Sequence, residues 1–233
     1  MSSYRLYGMG SPNVVKVVIA LEELGQSYDF AHVNVFQGEQ RESWFLDLNP
    51  NGKVPVLVEQ REQGDFVLFE SGAIMDWLAS RHGAFGGESE DERALVRQWL
   101  AFQMANTGPI FGNAIHFSFA TRECPYGQNR FTIELRKLLK VIERRLSKAD
   151  YLAGNYSIAD MALWPWIRTL EMFFADDLQS PALRRWFAQV EARPAVAAAV
   201  ARMDTIGKLD RESRRAASPE QLDRYFGRVA WQD

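Results

Sequence analysis

Short apolar runs bounded by turn residues dominate the first 82 positions of the chain. One stretch between them, residues 13–24, carries apolar side chains at helical spacing, although the β-branched run from Val14 to Ile19 also permits a strand. Further helices are predicted at 42–48 and 73–81. The predicted strands are residues 4–7, 28–35, 56–58 and 66–69. This pattern predicts a β-α-β-α-β-β-α order.

From residue 93 onward the apolar positions recur at helical spacing only. The clearest stripe covers residues 128–147, with basic side chains on the opposite face. Residues 156–172 are nearly all apolar, which predicts a buried helix. A break is predicted at residues 107–109 and a loop at 120–127. The remaining predicted helices are residues 93–106, 110–119, from 180, and 195–203, before a charged tail whose Tyr225, Phe226 and Trp231 are expected to dock.

A Gly-rich, acidic stretch, residues 83–92, separates these two patterns and is typical of a linker. The sequence therefore predicts an α/β thioredoxin-like domain at residues 1–82. An all-α helical domain with a C-terminal tail is predicted at residues 93–233.

Composition narrows the class of protein. Of 233 residues, 47% are apolar, and the net charge is −3, so neither nucleic acid nor an anionic membrane is favoured as a partner. No apolar run reaches about 18 residues, and no secretory signal is recognisable, so no membrane span is expected. The one cysteine, Cys124, allows no internal disulfide. A cytoplasmic protein is the expectation.

A strand edge that could pair with a peptide is predicted around Pro55. Turn residues at 49–52 lead through Lys53 and Val54 to Pro55, which stands before an apolar run and so at the start of a strand. A cis Val54–Pro55 bond would turn the backbone N–H and C=O of Val54 outward. An extended ligand could then pair with them.

A site for a carboxylate is predicted a few residues later. Glu70, Ser71 and Gly72 open the helix at residues 73–81, with Ser71 as its candidate N-cap. A helix N-terminus attracts anions through its unpaired N–H groups and its dipole. Together the two features suit a small peptide that carries a free carboxylate.

In thioredoxin-like proteins the loop before the first helix carries the redox cysteines, but the corresponding loop here, residues 8–13, holds none. A thiol reacting there must come from a ligand, and its pKa near 8.5 would have to be lowered for it to react as a thiolate. Ser11 and Asn13 offer hydrogen-bond donors for a sulfur anion. The alternative is that either residue serves only as a helix N-cap.

The motifs NGKVPVL (51–57) and FESGAI (69–74) together resemble the glutathione-binding half of cytosolic glutathione transferases. The resemblance implies a cis Pro55, with Val54 pairing the cysteinyl part of glutathione. It also implies that Glu70 and Ser71 hold the γ-glutamyl end.

Further motifs resemble the bacterial Nu class of that family, whose members are also called disulfide-bond oxidoreductases. They are SPN (11–13), QGEQ (37–40), PYGQNRF (125–131) and YSIADMALWPW (156–166). On this resemblance Ser11 and Asn13 face the glutathione sulfur, as catalytic residues. The implied glutathione-binding residues are Gln40, Lys53, Val54, Pro55, Glu70, Ser71 and Arg130. The lead-in Gly8-Met9-Gly10 departs from the class pattern.

The resemblance implies a homodimer that binds two glutathione molecules, or their disulfide, and reduces small disulfides, with organic hydroperoxides as a side activity. One alternative is a transferase that conjugates glutathione to an electrophile or cleaves an ether or thioether. The other is a regulatory protein that binds glutathione without turnover. Glutathione is the co-substrate in the first two cases, and no metal is expected, since the histidines show no ligand spacing.

Three other features have simpler interpretations. Ser157 and Asp160 match a helix capping box, with Asp in place of Glu or Gln, and are predicted to be structural. Cys124 is a lone thiol and is interpreted as incidental. His116 lies where an electrophile pocket is expected, and packing is at least as good an explanation for it.

Overall fold

The computed structural model describes residues 3–120 and 123–231. The chain folds into two compact units. One runs up to Ile74 and resumes at Ala197, and the other spans Met75–Val196. The sequence predicts a linker at residues 83–92 between an N-terminal and a C-terminal domain. The two compact units are divided differently, because residues from 197 onward pack with the N-terminal half.

A four-stranded mixed sheet forms the centre of the first unit, in the order β2-β1-β3-β4. β1 and β2 are parallel, and the other two pairings are antiparallel. The predicted β-α-β-α-β-β-α order is confirmed. The elements are β1 (Ser3–Gly8), α1 (Pro12–Glu23), β2 (Tyr28–His32), α2 (Ser43–Leu48), β3 (Val56–Gln60), β4 (Phe66–Phe69) and α3 (Ser71–His82).

The segment at residues 13–24, for which the sequence permitted either a helix or a strand, forms the helix α1 despite its β-branched residues. Val14, Val17, Val18 and Leu21 are fully buried, which is the i, i+3, i+4, i+7 face of α1. Burial of that face outweighs the strand preference of valine and isoleucine. β2 is shorter than predicted. It ends at His32, after which Val33 N–H bonds to Gly8 C=O and a 3₁₀ turn follows.

The second unit is helical. Its helices are α4 (Glu90–Phe102), α5 (Gly108–Ile115), α6 (Pro125–Leu146), α7 (Ile158–Leu170) and α8 (Pro181–Glu191), with π-helical turns at Gln103–Thr107 and His116–Ala120. The predicted break at residues 107–109 is wrong. A π turn leads directly into α5, where Pro109 stands in the first turn and Thr107 Oγ1 bonds to Gln103 C=O. The predicted loop at 120–127 is wrong at both ends, because Ala120 closes the second π turn and α6 begins at Pro125; residues 121 and 122 lie outside the described ranges.

The capping box at the start of α7 is confirmed. Asp160 is fully buried and accepts hydrogen bonds from the N–H and hydroxyl of Ser157, from Leu152 N–H and from Trp186 Nε1. Burial raises the pKa of Asp160 to about 6, against the effect of these donors. The motif is structural, as predicted, and it ties α7 to α8.

The C-terminal segment is more helical than predicted. α9 runs over Pro194–Ala216 and α10 over Pro219–Tyr225. The Tyr225 ring lies 4.5 Å from the Phe36 ring, centroid to centroid, and Trp231 packs over Gly38. The predicted docking of these tail aromatics is thus confirmed for Tyr225 and Trp231. Within the described ranges, no helix is both long and apolar enough to cross a membrane.

Candidate functional site

Ser11 occupies the N-cap position of α1, with Pro12 in the first turn behind it. Its backbone is extended, with φ −123° and ψ 152°, and its C=O accepts from Val14 and Val15 N–H. The Ser11 side chain makes no capping hydrogen bond within the described part of the chain. The backbone of Ser11 therefore begins the helix, while its hydroxyl is left for another partner.

The α1 N-terminus is suited to an anion because its dipole places partial positive charge there. Ser11 and Asn13 are both half-buried at this end of the helix. Residues 8–13 contain no cysteine, and the cysteine at position 124 precedes α6 in the second unit. The loop at the α1 N-terminus therefore supplies no sulfur of its own.

Asn49 builds the turn that leads to Pro55. It is buried, and its side-chain oxygen accepts from Asn51 N–H at 3.0 Å while its Nδ2 donates to Lys53 C=O at 2.6 Å. The Val54–Pro55 bond is cis, as predicted, and β3 begins at the next residue. Lys53 is exposed at the end of this turn. The sequence predicted the turn, but it did not show that the buried Asn49 side chain organises it.

Gln40 lies beside this turn. It is buried, at 5% exposure, yet its Oε1 has no hydrogen-bond partner among the described residues. A Cβ built on Gly52 would lie 2.9 Å from the Gln40 backbone oxygen, so the two segments are in close contact. A buried acceptor without a donor is costly, and a ligand N–H would relieve that cost.

Glu70 and Ser71 stand at the junction of β4 and α3. Glu70 is exposed, with a left-handed φ of 67°, and its C=O accepts from Ile74 N–H. The helix begins at Ser71, so Ser71 is its first residue and not the N-cap, one position from the prediction. Ser71 is buried at the helix start. The junction retains the features of an anion site.

Lys16 is a buried lysine that interacts electrostatically with Glu70. It was not among the site residues predicted from the sequence. Its side chain is fully buried, although it lies off the apolar face of α1 formed by Val14, Val17, Val18 and Leu21. Burial lowers the pKa of Lys16 to about 7, and the negative charge of Glu70 opposes that shift. The available signal in the sequence was a lysine among the apolar residues of a predicted helix.

Arg130 belongs to the other unit. It lies on α6 with its side chain exposed, and its assignment to glutathione stays a prediction. His116 begins a π turn in the same unit and meets the Phe117 ring edge-on at 5.3 Å. No cluster of three or more potential metal ligands occurs in residues 3–120 and 123–231.

Two family models match the chain. The glutathione S-transferase N-terminal domain matches residues 2–80, and the glutathione S-transferase C-terminal domain matches residues 132–194. Together they cover more than half of the sequence.

Individual relatives agree with the models. The disulfide-bond oxidoreductase YfcG of Escherichia coli K12 is 36% identical over 200 residues, 84% of this chain and 93% of that protein. A glutathione transferase of Pseudomonas putida, solved with one glutathione disulfide per subunit, has a TM-score of 0.79 at 35% identity, covering 85% of this chain and 90% of that one. A glutathione transferase of Burkholderia graminis, solved with two glutathione molecules per subunit, has a TM-score of 0.78 at 34% identity, covering 85% and 87%.

Proposed function

The chain belongs to the glutathione S-transferase family, and from that membership we propose that it reduces disulfides with glutathione as electron donor. Its relatives carry the names glutathione S-transferase and disulfide-bond oxidoreductase. The chain is thus a glutathione-dependent enzyme of that family. The preference for disulfides, and the use of two glutathiones, are the finer proposal.

The uncommitted hydroxyl of Ser11 carries the proposal. It stands at the N-terminus of α1, where the helix dipole favours an anion, and it makes no capping bond in the described part of the chain. Donation from Ser11 Oγ and Asn13 Nδ2 would stabilise the glutathione thiolate and lower its pKa. Each unit of lowering corresponds to about 1.4 kcal/mol in favour of the anion.

The reaction follows thiol–disulfide exchange. The first glutathione thiolate attacks one sulfur of the substrate disulfide, forming a mixed disulfide and releasing the other half as a thiolate. The second glutathione thiolate then attacks the glutathione sulfur of that mixed disulfide. Glutathione disulfide forms, the second half of the substrate leaves, and the two protons lost by glutathione appear on the two product thiols.

The other site residues hold the first glutathione in place. Val54, after the turn built by Asn49, would pair with its cysteinyl backbone, and Glu70 with Ser71 would take the γ-glutamyl end. Gln40 Oε1, a buried acceptor that lacks a donor among the described residues, suits a ligand N–H. Lys53 and Arg130 are proposed to balance the ligand carboxylates. The Burkholderia relative solved with two glutathiones supports a site of this capacity.

Two further properties belong to the proposal. Organic hydroperoxides are expected as weaker substrates, with two glutathiones oxidised for each hydroperoxide reduced to alcohol and water. The protein is proposed to act as a homodimer in the cytoplasm, in line with the Nu-class resemblance.

A coupled assay tests the function. Turnover of a small model disulfide with glutathione is followed through glutathione reductase, on wild type, Ser11→Ala and Asn13→Ala. We expect kcat to fall by about tenfold or more in Asn13→Ala and clearly in Ser11→Ala, since each removes a donor to the thiolate. Ser27→Ala, an exposed serine before β2, is the matched control.

Cys124→Ser is the mechanistic control. If both sulfurs come from glutathione, this variant keeps wild-type turnover, whereas loss of turnover would contradict the proposal. Tight glutathione binding without disulfide turnover would also contradict it. In that case formation of a thioether adduct with model electrophiles would identify a conjugating transferase, and absence of any product would identify a binding protein.

A further inference from the structure

A carboxylate from the far end of the chain holds the loop that carries Ser11. Asp210, on α9, accepts a hydrogen bond from Gly10 N–H at 2.7 Å through Oδ2. Its other oxygen, Oδ1, lies 2.9 Å from His32 Nε2. Because a carboxylate only accepts, His32 Nε2 is the donor in this pair. All three residues belong to the first compact unit.

Gly10 stands at the corner of a tight turn. Ser11 N–H bonds to Met9 C=O at 2.8 Å, which leaves the Gly10 N–H pointing away from the turn, toward Asp210. Met9 is buried. The bond to Asp210 therefore fixes the corner of the turn, one residue before Ser11.

The packing explains the glycines in this lead-in, where the sequence departs from the Nu-class pattern. A Cβ on Gly10 would lie 2.5 Å from Asp210 Oδ2, and a Cβ on Gly8 would lie 2.7 Å from Val14 Cγ1. Neither site leaves room for a side chain. Gly10 allows the carboxylate to approach the backbone, and Gly8 allows β1 to pack against α1.

The His32 and Asp210 side chains are only 14% and 13% exposed, so solvent competes weakly for the hydrogen bond between them. Gly10 is exposed, so the bond from its N–H relies on His32 to hold the Asp210 carboxylate in place. A negative charge near a thiolate would by itself disfavour the anion. Any benefit of Asp210 to the reaction must therefore come from geometry.

We propose that Asp210, held by His32, is a positioning residue that fixes the turn at residues 8–11 and thereby aims the Ser11 hydroxyl at the glutathione sulfur. This inference rests on the proposed function, because the role of Ser11 does. Asp210 does not touch the reacting sulfur in this account. It acts through the backbone of Gly10.

Two substitutions separate positioning from charge. Asp210→Ala removes the acceptor for Gly10 N–H. Asp210→Asn keeps an oxygen for Gly10 and can donate its amide to the other tautomer of His32, so it restores the geometry without the charge. Asp204→Ala, an exposed carboxylate on the same helix, is the control.

Asp210→Ala is expected to change two readouts, kcat and the titration of bound glutathione, and to leave a third, the glutathione Kd, nearly unchanged. We expect kcat for disulfide reduction to fall about tenfold and the glutathione Kd to stay within about threefold. The thiol of bound glutathione, followed by its ultraviolet thiolate absorbance, is expected to titrate at a higher pH. Asp210→Asn should recover most of kcat, and the control should match wild type.

A double variant tests whether Asp210 acts through Ser11. If it does, Ser11→Ala with Asp210→Ala should be no more than about threefold slower than Ser11→Ala alone, since coupled residues are not additive. Additive losses would overturn the inference, and so would an unchanged thiol titration in Asp210→Ala. Parallel loss of kcat and glutathione binding, with no recovery in Asp210→Asn, would also overturn it.

The thiol titration needs only bound glutathione and no turnover. If wild type fails to reduce disulfides, the proposed function fails, while a shifted titration in Asp210→Ala would still support the positioning role.

Discussion

The side-chain amide of Asn49 donates a 2.6 Å hydrogen bond to the backbone oxygen of Lys53, across the turn that precedes Pro55. The same side chain accepts from Asn51 N–H, so one buried group fixes both arms of the turn. On the proposed function this pairing links fold stability to glutathione binding, because the turn leads directly to Val54.

Replacing Asn49 should therefore weaken both properties. We expect Asn49→Ala to lower the free energy of unfolding by about 1–3 kcal/mol, because it removes two partly buried hydrogen bonds, each contributing about 0.5–1.5 kcal/mol. We also expect a higher glutathione Kd. Denaturant unfolding and calorimetry measure the two effects. Asn51→Ala, which keeps the backbone N–H used in the turn, should change neither by much, and an equal loss there would contradict the assignment.

Replacing Gln40 is predicted to weaken glutathione binding without lowering the free energy of unfolding. Gln40→Met removes a buried oxygen that lacks a partner in the described part of the chain. The free energy of unfolding should therefore stay unchanged or rise by up to about 1 kcal/mol. The glutathione Kd should rise about tenfold, or about 1.4 kcal/mol.

Gln37→Met provides the comparison for Gln40. Gln37 Nε2 donates to Ser213 C=O, so its removal should cost about 1 kcal/mol of stability. Glutathione affinity should stay the same. If Gln40→Met lowers the free energy of unfolding as much as Gln37→Met does, then Gln40 Oε1 does not destabilise the folded protein, and the argument that it awaits a ligand N–H fails.

Asp160 is predicted to contribute to stability alone. Asp160→Ala leaves Trp186 Nε1 and the N–H groups of Leu152 and Ser157 without their acceptor, so we expect a loss of at least about 3 kcal/mol. Thermal or denaturant unfolding measures it. Glutathione affinity of the folded protein should not change. Asp150→Ala, which removes an exposed carboxylate 3.8 Å from Arg185, should cost less than about 1 kcal/mol.

Lys16 makes stability depend on pH. Its folded-state pKa, about 7, is below the ordinary value of 10.5, so between these values the unfolded chain binds one more proton than the folded chain. The free energy of unfolding should therefore rise with pH across this window, by up to about 1.4 kcal/mol per unit from this group. Below about pH 7 both states are protonated and the contribution is constant.

Lys16→Met should remove that slope. The measurement is the difference in unfolding free energy between wild type and Lys16→Met at several pH values from 7 to 10. Lys140 is an exposed lysine on α6, so the free energy of unfolding of Lys140→Met should depend on pH as that of wild type does. A pH-independent difference between wild type and Lys16→Met would show that Lys16 is not held neutral by its surroundings.

Local chemistry made part of each unit predictable. Pro55 could be placed at a strand start because proline cannot donate to a sheet, and β3 begins immediately after it. Ser157 and Asp160 could be interpreted as a capping box because both partners lie within one turn. In each case the residues that decide the structure are neighbours in sequence.

Long-range contacts account for what could not be predicted. Asp210 meets a loop 200 residues away, and no local pattern distinguishes it from the other charges of α9. The continuation of α9 past residue 203 depends on its packing within the first unit, and the polar composition of this segment gave no sign of that packing. The chain stays helical from α4 to α5 because a π turn, Gln103–Thr107, joins them. The spacing of apolar residues does not reveal such turns.

The return of residues from 197 onward to the N-terminal half has a consequence for biosynthesis. The four strands are synthesised before the Asp210 carboxylate that bonds to Gly10 and before the Tyr225 ring that lies against Phe36. On the proposed function, glutathione present during translation would therefore meet an incomplete site until residues 197–225 have been made. A nascent chain stopped before residue 197 would hold all four strands and still lack the carboxylate that bonds to the loop before Ser11.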